Sequence, residues 1–329
     1  MENKRKTKGT NYRYFINYDE QIRYRNNIKK MKIILTMFII LITVILIIIT
    51  RNIQANIESS EESSNLAIMH TELEGEKLNE EAKQQQKEQE EREKQEKLKK
   101  EQEERAAKLP KLTEAGKENM SNIFHSETKR AFLTFDDGPS NVTPQILEEL
   151  GKENIKATFF VLGSNVVNFP ETTKKIWDEG HYIANHGYTH VYSSIYASPQ
   201  AVLDEFNRCN DEVKKAIGEP EFNSHLFRYP GGLAGGKYAE TKKQAKQLLE
   251  DNDILNIDWN ALTGDAESQH PTSENLMEKL KTTVEGKSSV VILMHDAQAK
   301  KVTADMLPDI IAYLKEEGYE FKSFYDIIK

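Results

Sequence analysis

Two short motifs carry side chains suited to holding one metal ion. Asp136 and Asp137 are adjacent in TFDDGPS, residues 134–140, where an apolar run meets a Gly-Pro turn. Two carboxylates this close repel each other unless a cation neutralises them. His186 and His190, in HGYTH, have the i,i+4 spacing that puts two imidazoles on one side of a helical turn. One carboxylate and two imidazoles leave open coordination positions, so we predict a catalytic metal site.

Nitrogen and oxygen ligands of this kind fit Zn²⁺ best, and Co²⁺, Mn²⁺, Fe²⁺ and Ni²⁺ suit the same set. Two further elements are candidates for acid/base chemistry, and one more polar residue follows a predicted strand. Arg228 in RYPGG is a cation beside flexible glycine backbone, and His295 in LMHD ends an apolar run. Asp265 in WNALTGDA follows another such run. We expect these groups to surround the metal site.

The elements that position these residues are short apolar runs alternating with helix-length amphipathic stretches. The predicted strands are 131–135, 157–162, 182–184, 226–227, 254–257, 290–294 and 320–324, and the predicted helices are 143–151, 170–179, 199–217, 237–251, 273–284 and 303–317. This alternation, with runs apolar on both faces, predicts parallel strands covered by helices. Seven strands suggest a barrel slightly smaller than eight βα units, with an open doubly wound sheet as the alternative. In either fold the polar residues follow the strands and lie on one face, where active sites are built.

Five motifs occur in order within residues 126–329. They are TFDDGPS at 134–140, HGYTH at 186–190, RYPGG at 228–232, WNALTGDA at 259–266 and LMHD at 293–296. On these motifs the chain resembles the polysaccharide deacetylases of the NodB-homology type, carbohydrate esterase family 4. The resemblance implies a distorted (β/α)7-type barrel with parallel strands. It also implies metal-dependent hydrolysis of N-acetyl groups on a polysaccharide.

The resemblance implies roles for the residues of the first three motifs. Asp137, His186 and His190 would hold the metal, and Asp136 would be the general base that deprotonates the attacking water. Arg228 would orient Asp136 and keep it ionised.

The resemblance also implies roles for residues of the last three motifs. His295 would be the general acid, and Asp265 would pair with it and favour its protonated form. A backbone N–H near Gly231, together with the metal, would stabilise the oxyanion. Leu293 and Trp259 would be apolar walls for the acetyl methyl and the sugar face.

Three positions depart from the family pattern. Gly187 stands where Ser or Thr is usual, Gly231 where an aromatic residue is common, and Ala266 where Trp is common. All charged groups remain, so we expect these changes to affect substrate fit more than the metal or acid/base chemistry. N-acetylglucosamine of peptidoglycan is the favoured substrate; N-acetylmuramic acid, chitin-like oligomers, exopolysaccharide and acetylxylan are alternatives. A non-catalytic wall-binding module that retains the metal site is the alternative from another functional class.

The N-terminal region predicts a membrane anchor. Residues 33–50 carry no charge, and 18 residues of helix span about 27 Å, near the thickness of a bilayer's hydrocarbon core. Residues 1–32 carry ten Lys/Arg against three acids, so the positive-inside rule predicts a cytoplasmic arm and a single-pass protein with its catalytic domain outside. A cleaved signal peptide is the competing interpretation.

Residues 51–125 are predicted to form a charged extracellular spacer between the anchor and a catalytic domain at 126–329. From 72 to 108 the spacer is almost only Glu, Lys, Gln and Arg, which indicates either a solvated helix or disorder. The formal net charge of −8 argues against a nucleic-acid partner, because phosphate binding needs a cationic surface. Cys209 is the single cysteine, and its helical spacing from apolar residues predicts a core position rather than a nucleophile.

Overall fold

The computed structural model describes residues 18–58, 61–268 and 270–328. The chain divides into two units, Met1–Lys100 and Glu101–Lys329. The helices are α1 (Tyr18–Glu58), α2 (Glu61–Lys108), α3 (Glu114–Ser121), α4 (Thr143–Lys152), α5 (Gly163–Asn168), α6 (Pro170–Asp178), α7 (Tyr192–Ile195), α8 (Pro199–Ile217), α9 (Ala239–Glu250), α10 (Ser273–Val284), α11 (Lys301–Glu316) and α12 (Tyr325–Ile328). The strands are β1 (Arg130–Asp136), β2 (Thr158–Val161), β3 (Tyr182–Asn185), β4 (Leu226–Phe227), β5 (Leu255–Asn256), β6 (Ala261–Leu262), β7 (Ser289–His295) and β8 (Glu320–Phe321).

Helix α1 contains the segment Ile22–Arg51, which is long and apolar enough to cross a membrane. The mean hydropathy of its most apolar 18 residues is 3.3, and none of that stretch is buried within the protein. The hydroxyls of Thr36, Thr43 and Thr50 donate to backbone carbonyls three or four residues earlier, at 2.8 to 3.0 Å. They therefore add no unpaired donor to the apolar surface. By length and composition the segment is either a membrane anchor or a signal sequence.

The charged spacer is helical. Helix α2 runs from Glu61 to Lys108 without interruption, and its leucines Leu73, Leu78 and Leu98 are exposed. Closely spaced Glu and Lys residues along a helix form pairs that stabilise it by a few tenths of a kcal/mol each. Of the two predicted states, helix and disorder, the structure has the helix.

The eight strands form one parallel sheet in the order β5-β4-β3-β2-β1-β7-β6, with β8 paired to β1. The sheet is curled and matches a (β/α)7 barrel, which confirms the predicted fold class. The count of seven strands missed β6, which lies inside the WNALTGDA motif. Two residues cannot show the alternation by which strands are recognised, and the equally short β4 was predicted only as an apolar pair.

Strand alternation separates the two apolar layers and selects the side chains that reach the barrel interior. Ala131, Leu133 and Phe135 of β1 pack outward against the covering helices, whereas Phe132 packs inward. Side chains two residues apart in a strand share a face, so Thr134 and Asp136 point inward as well. The interior of the barrel is therefore apolar at its base and polar where the strands end.

The segment before β1 packs on the base of the barrel. Met120 and Ile123 lie in the inner apolar cluster, and the Thr113 backbone N–H donates to the Ile328 carbonyl at 3.0 Å. Arg105 binds Glu219 at 2.8 Å. Because these contacts precede residue 126, we propose that the folded domain begins at about residue 105 instead of at the predicted boundary.

Candidate active site

The carboxyl ends of β1, β3 and β7 bring the predicted polar residues together. Register pairs Asp136 with His295 on the adjacent strands β1 and β7, so both side chains occupy one level of the barrel interior. His186 directly follows β3 on the same edge of the sheet. Asp136 and His186 are 2% and 3% exposed, respectively, so this polar cluster lies below the protein surface.

Asp137, His186 and His190 form a group whose ligand atoms all lie within 4.8 Å of one another. Asp137 has φ of 70°, and this left-handed turn brings its side chain beside Asp136 instead of onto the opposite face of the strand. Asp137 Oδ1 is 3.4 Å from His190 Nε2 and 3.6 Å from His186 Nε2. Tetrahedral ligands with bonds of about 2.1 Å are roughly 3.4 Å apart, so these three atoms fit one ion.

Two further observations support a metal at this point. The buried Oδ1 of Asp137 has no hydrogen-bond partner among the described residues, although a buried carboxylate oxygen normally has one. His186 Nδ1 lies 2.7 Å from the Arg228 carbonyl oxygen, to which it donates, leaving the lone pair of Nε2 directed at Asp137. Burial lowers the pKa of His186 to about 3, so the ring is neutral, as a ligand must be.

The prediction that His186 and His190 share a helical turn was wrong. Residues 186–190 form an irregular loop, with φ of 90° at Gly187 and 56° at His190. A side chain at Gly187 would also collide with Ile195, because a Cβ there would lie 2.8 Å from the Ile195 Cδ1. The departure from the family pattern at Gly187 therefore suits the path of this loop.

Glu205 on α8 holds the histidine loop in place and was missed by the sequence analysis. Its Oε2 accepts the backbone N–H groups of Tyr188 and Thr189 at 2.7 and 2.8 Å, and its Oε1 accepts the Thr189 hydroxyl at 3.1 Å. Glu205 is 6% exposed and lies on the buried face of α8 with Phe206 and Cys209. The sequence signal that could have identified Glu205 is a charged residue on the apolar face of an amphipathic helix.

Asp136 is fixed by Arg228, which is fully buried inside the barrel. The Arg228 Nη1 donates to Asp136 Oδ1 at 2.7 Å and to the Thr134 hydroxyl at 2.8 Å. Its other nitrogens donate to the carbonyls of Ile257 and Asp258, and its guanidinium stacks 3.9 Å from the Phe160 ring. Burial raises the pKa of Asp136, and the charge of Arg228 opposes that rise. Arg228 thus offsets part of the cost of burying this carboxylate.

His295 and Asp265 form a second pair across the site. Asp265 Oδ1 accepts from His295 Nδ1 at 2.8 Å, and its Oδ2 accepts the His295 backbone N–H and the Thr303 hydroxyl. Burial alone would lower the pKa of His295, but the hydrogen bond and charge of Asp265 outweigh it and raise the pKa to about 9. His295 is therefore an imidazolium near neutral pH, with Nε2–H available as a donor.

The three predicted substrate-contact residues line the same region. Leu293 is half-buried and lies two residues before His295 in β7, on its inward face. The Trp259 ring centroid is 5.8 Å from the Arg228 guanidinium. Gly231 has φ of 74°, and a Cβ added to it would meet the Tyr192 hydroxyl at 2.5 Å. Tyr192 thus borders the site and was not identified from the sequence.

Asp296 is another buried group that the sequence analysis left without a role. Its Oδ2 accepts the Thr143 hydroxyl at 2.6 Å, and its backbone carbonyl accepts the Ser140 hydroxyl at 2.5 Å. A Cβ at Gly138 would overlap its carboxyl group. Asp296 therefore packs under the turn that carries Asp136 and Asp137.

Comparison with known proteins agrees with this geometry. The family model for polysaccharide deacetylase matches residues 125–249. A peptidoglycan-N-acetylglucosamine deacetylase of Bacillus cereus is 33% identical over 226 residues, covering 67% of this chain and 78% of that protein. The chain belongs to the polysaccharide deacetylase family. This deacetylase is therefore a carbohydrate esterase family 4 hydrolase, which acts on carbon–nitrogen bonds.

Two further proteins resemble this deacetylase. A peptidoglycan-N-acetylmuramic acid deacetylase of Bacillus subtilis is 29% identical over 205 residues, covering 62% of this chain and 73% of that protein. Among solved structures, a Streptococcus mutans CE4 esterase superposes with a TM-score of 0.56 at 30% identity. That match covers 64% of this deacetylase and 92% of the esterase.

Proposed function

We propose that this enzyme removes N-acetyl groups from N-acetylglucosamine of peptidoglycan, using one divalent metal ion, most simply Zn²⁺. The observation that carries the proposal is the grouping of a three-ligand metal site, the Arg228–Asp136 pair and the Asp265–His295 pair at one end of the barrel. A structural metal site needs three or four ligands but neither of these pairs. The arrangement therefore supports catalysis over a non-catalytic wall-binding module.

Asp137, His186 and His190 would hold the ion. When bound, the ion supplies Lewis-acid chemistry, polarising the acetamide carbonyl and increasing the acidity of water. The hydrogen bond from His186 Nδ1 to the Arg228 carbonyl orients that ring, and Glu205 orients the loop that carries His190. Such outer contacts set the affinity of a site for its metal.

Asp136 is the proposed general base. Its Oδ1 is occupied by Arg228 at 2.7 Å, while Oδ2 lies 3.8 Å from His186 Nε2 and so faces the metal site. The free oxygen accepts the proton of the attacking water as that water adds to the carbonyl carbon. Arg228 compensates the charge of Asp136 in a buried site and so favours the ionised carboxylate, the form that can accept a proton.

His295 is the proposed general acid. Asp265 keeps the imidazole protonated and fixes its orientation through Nδ1. The Nε2–H donates its proton to the amide nitrogen as the carbon–nitrogen bond breaks, and acetate and a free amino sugar result. The register of β1 and β7 pairs Asp136 with His295, which supports two proton transfers at one acetamide group.

The relatives and the N-terminal region support the proposed substrate and location. The named relatives act on N-acetylglucosamine or N-acetylmuramic acid of peptidoglycan, and the former is the more similar by identity. The apolar segment Ile22–Arg51 and the basic arm before it support an uncleaved single-pass anchor with the catalytic domain outside the cell.

Acetate release tests this function. The full chain in detergent is incubated with tetra-N-acetylchitotetraose and with purified peptidoglycan, before and after chelation and re-addition of Zn²⁺ or Co²⁺. We expect metal-dependent acetate release that Asp136→Asn abolishes. Asp178→Asn, on the surface of α6, makes the same chemical change away from the site and is the matched control. Equal activity in Asp136→Asn and the parent would rule out the assigned base.

A further inference from the structure

Tyr192 lies beside the predicted metal ligands, and much of its side chain is exposed to solvent. It follows His190 by two residues, and its ring centroid is 5.5 Å from the His190 ring. Tyr192 remains 40% exposed, although its ring packs against the buried ring of Tyr196. A large amphipathic side chain left open beside a catalytic centre is a candidate for ligand contact.

One side of the Tyr192 ring packs against a buried aromatic side chain. Tyr196 is 2% exposed and packs edge-on against Tyr192, with ring centroids 5.6 Å apart. The Tyr196 hydroxyl donates to the Pro230 carbonyl at 2.7 Å, and Lys242 Nζ lies 4.8 Å from the Tyr196 ring centroid. Tyr192 therefore loses little conformational freedom when a ligand packs on its open face.

The hydroxyl of Tyr192 occupies the space next to Gly231. A Cβ at Gly231 would lie 2.5 Å from that oxygen, so a side chain at this position would force the Tyr192 ring to shift. Within the parts of the chain that the structure describes, the Tyr192 hydroxyl has no hydrogen-bond partner. It is thus free to bond a polar group of a ligand that enters between the His190 loop and Gly231.

We propose that Tyr192 is a substrate-binding residue that positions the acetylated sugar, an inference that rests on the proposed function. Its ring packs on the apolar C–H face of the pyranose, and its hydroxyl bonds a sugar hydroxyl or the acetamido group. Tyr192 therefore supplies the aromatic contact on this side of the cleft, and Gly231 makes room for its hydroxyl. The contact acts on binding more than on the chemical step.

Steady-state acetate release from tetra-N-acetylchitotetraose by the full chain tests this role. An aromatic contact of about 0.5–1.5 kcal/mol corresponds to roughly a twofold to tenfold rise in KM for Tyr192→Ala, with kcat changed by less than about twofold. Tyr192→Phe keeps the ring and separates its contribution from that of the hydroxyl, and Tyr192→Trp restores an aromatic face. Tyr188→Phe is the matched control for Tyr192→Phe. Tyr188 lies in the same loop, but its ring packs 3.9 Å from the guanidinium of Arg208 on α8. Bound metal and Tm are measured for every variant.

A KM effect in Tyr192→Ala that Tyr192→Trp partly reverses, with bound metal unchanged, supports the proposal. An unchanged KM overturns it. A fall in kcat with loss of metal and no change in KM also overturns it, because Tyr192 would then only support the histidine loop. If the parent releases no acetate from any glycan, the proposed function itself fails, and this inference fails with it.

Discussion

Asp265→Asn isolates the contribution of the buried carboxylate to the general acid. The pKa of His295 is about 9 with Asp265 in place and returns toward the ordinary 6.5 without that charge. The acid must be protonated, so activity falls as pH rises through this pKa. The substitution should therefore move the alkaline limb of the profile to lower pH by up to about 2.5 units.

The size of the effect depends on pH in a way that distinguishes protonation from general damage. At pH 8 the protonated fraction of His295 would fall from about nine-tenths to about one-thirtieth, a loss of roughly 30-fold in kcat/KM. At pH 6 the fraction would fall only to about three-quarters. The pH profile of kcat/KM for acetate release measures both.

A matched control makes this result interpretable. Glu267→Gln is the same carboxylate-to-amide change in the same loop, and Glu267 pairs with Lys279 rather than with His295. It should leave the alkaline limb where the parent has it. A uniform loss in Asp265→Asn across all pH values, with the parent's alkaline limb retained, would refute the assignment of His295 as an acid supported by Asp265.

Three other changes have defined outcomes. Arg228→Gln should move the acidic limb of the pH profile to higher pH and lower the free energy of unfolding by about 3–5 kcal/mol, because the charge of buried Asp136 is left uncompensated. An unchanged acidic limb in a folded variant would contradict this. Glu205→Gln should weaken Zn²⁺ binding by roughly 10-fold to 100-fold, measured by competition with a chelator, since an amide cannot accept all three loop hydrogen bonds; parental affinity would remove its positioning role. Chelation should lower Tm, and Zn²⁺ at 100 times its Kd should restore about 2.7 kcal/mol to the free energy of unfolding. In Asp137→Asn this gain should be smaller, and a gain equal to the parent's would exclude Asp137 as a ligand.

Much of the fold could be predicted because its strands and helices carry strong patterns. Helices α8 and α10 have the predicted bounds, and the long strands β1 and β7 are apolar on both faces. The grouping of polar residues after these strands follows from parallel topology alone. Strand β6 was missed because two residues show no period, although β4, which is equally short, was predicted with its observed bounds.

The site could be predicted for residues within motifs and not for those that support them. Glu205 is 15 residues from His190, and its partners are backbone N–H groups, which no pattern of side chains reveals. The sequence around Tyr192 does not distinguish it from an ordinary surface tyrosine; only the folded loop shows that it lies against Gly231. The i,i+4 spacing of His186 and His190 suggested a helix, but positive φ at Gly187 and at His190 produces the same convergence in a loop. Two histidines at i,i+4 can therefore converge either on a helical turn or in a loop with positive φ.

Mass spectrometry of peptidoglycan fragments tests the central claim most directly. Purified peptidoglycan is treated with the full chain or with Asp136→Asn, digested to disaccharide units, and analysed for loss of acetyl from each sugar. We predict that the parent, loaded with Zn²⁺, removes one acetyl group from N-acetylglucosamine and that Asp136→Asn removes none. Loss of acetyl only from N-acetylmuramic acid would contradict the assigned sugar, and no loss from either sugar would contradict the proposed activity on peptidoglycan.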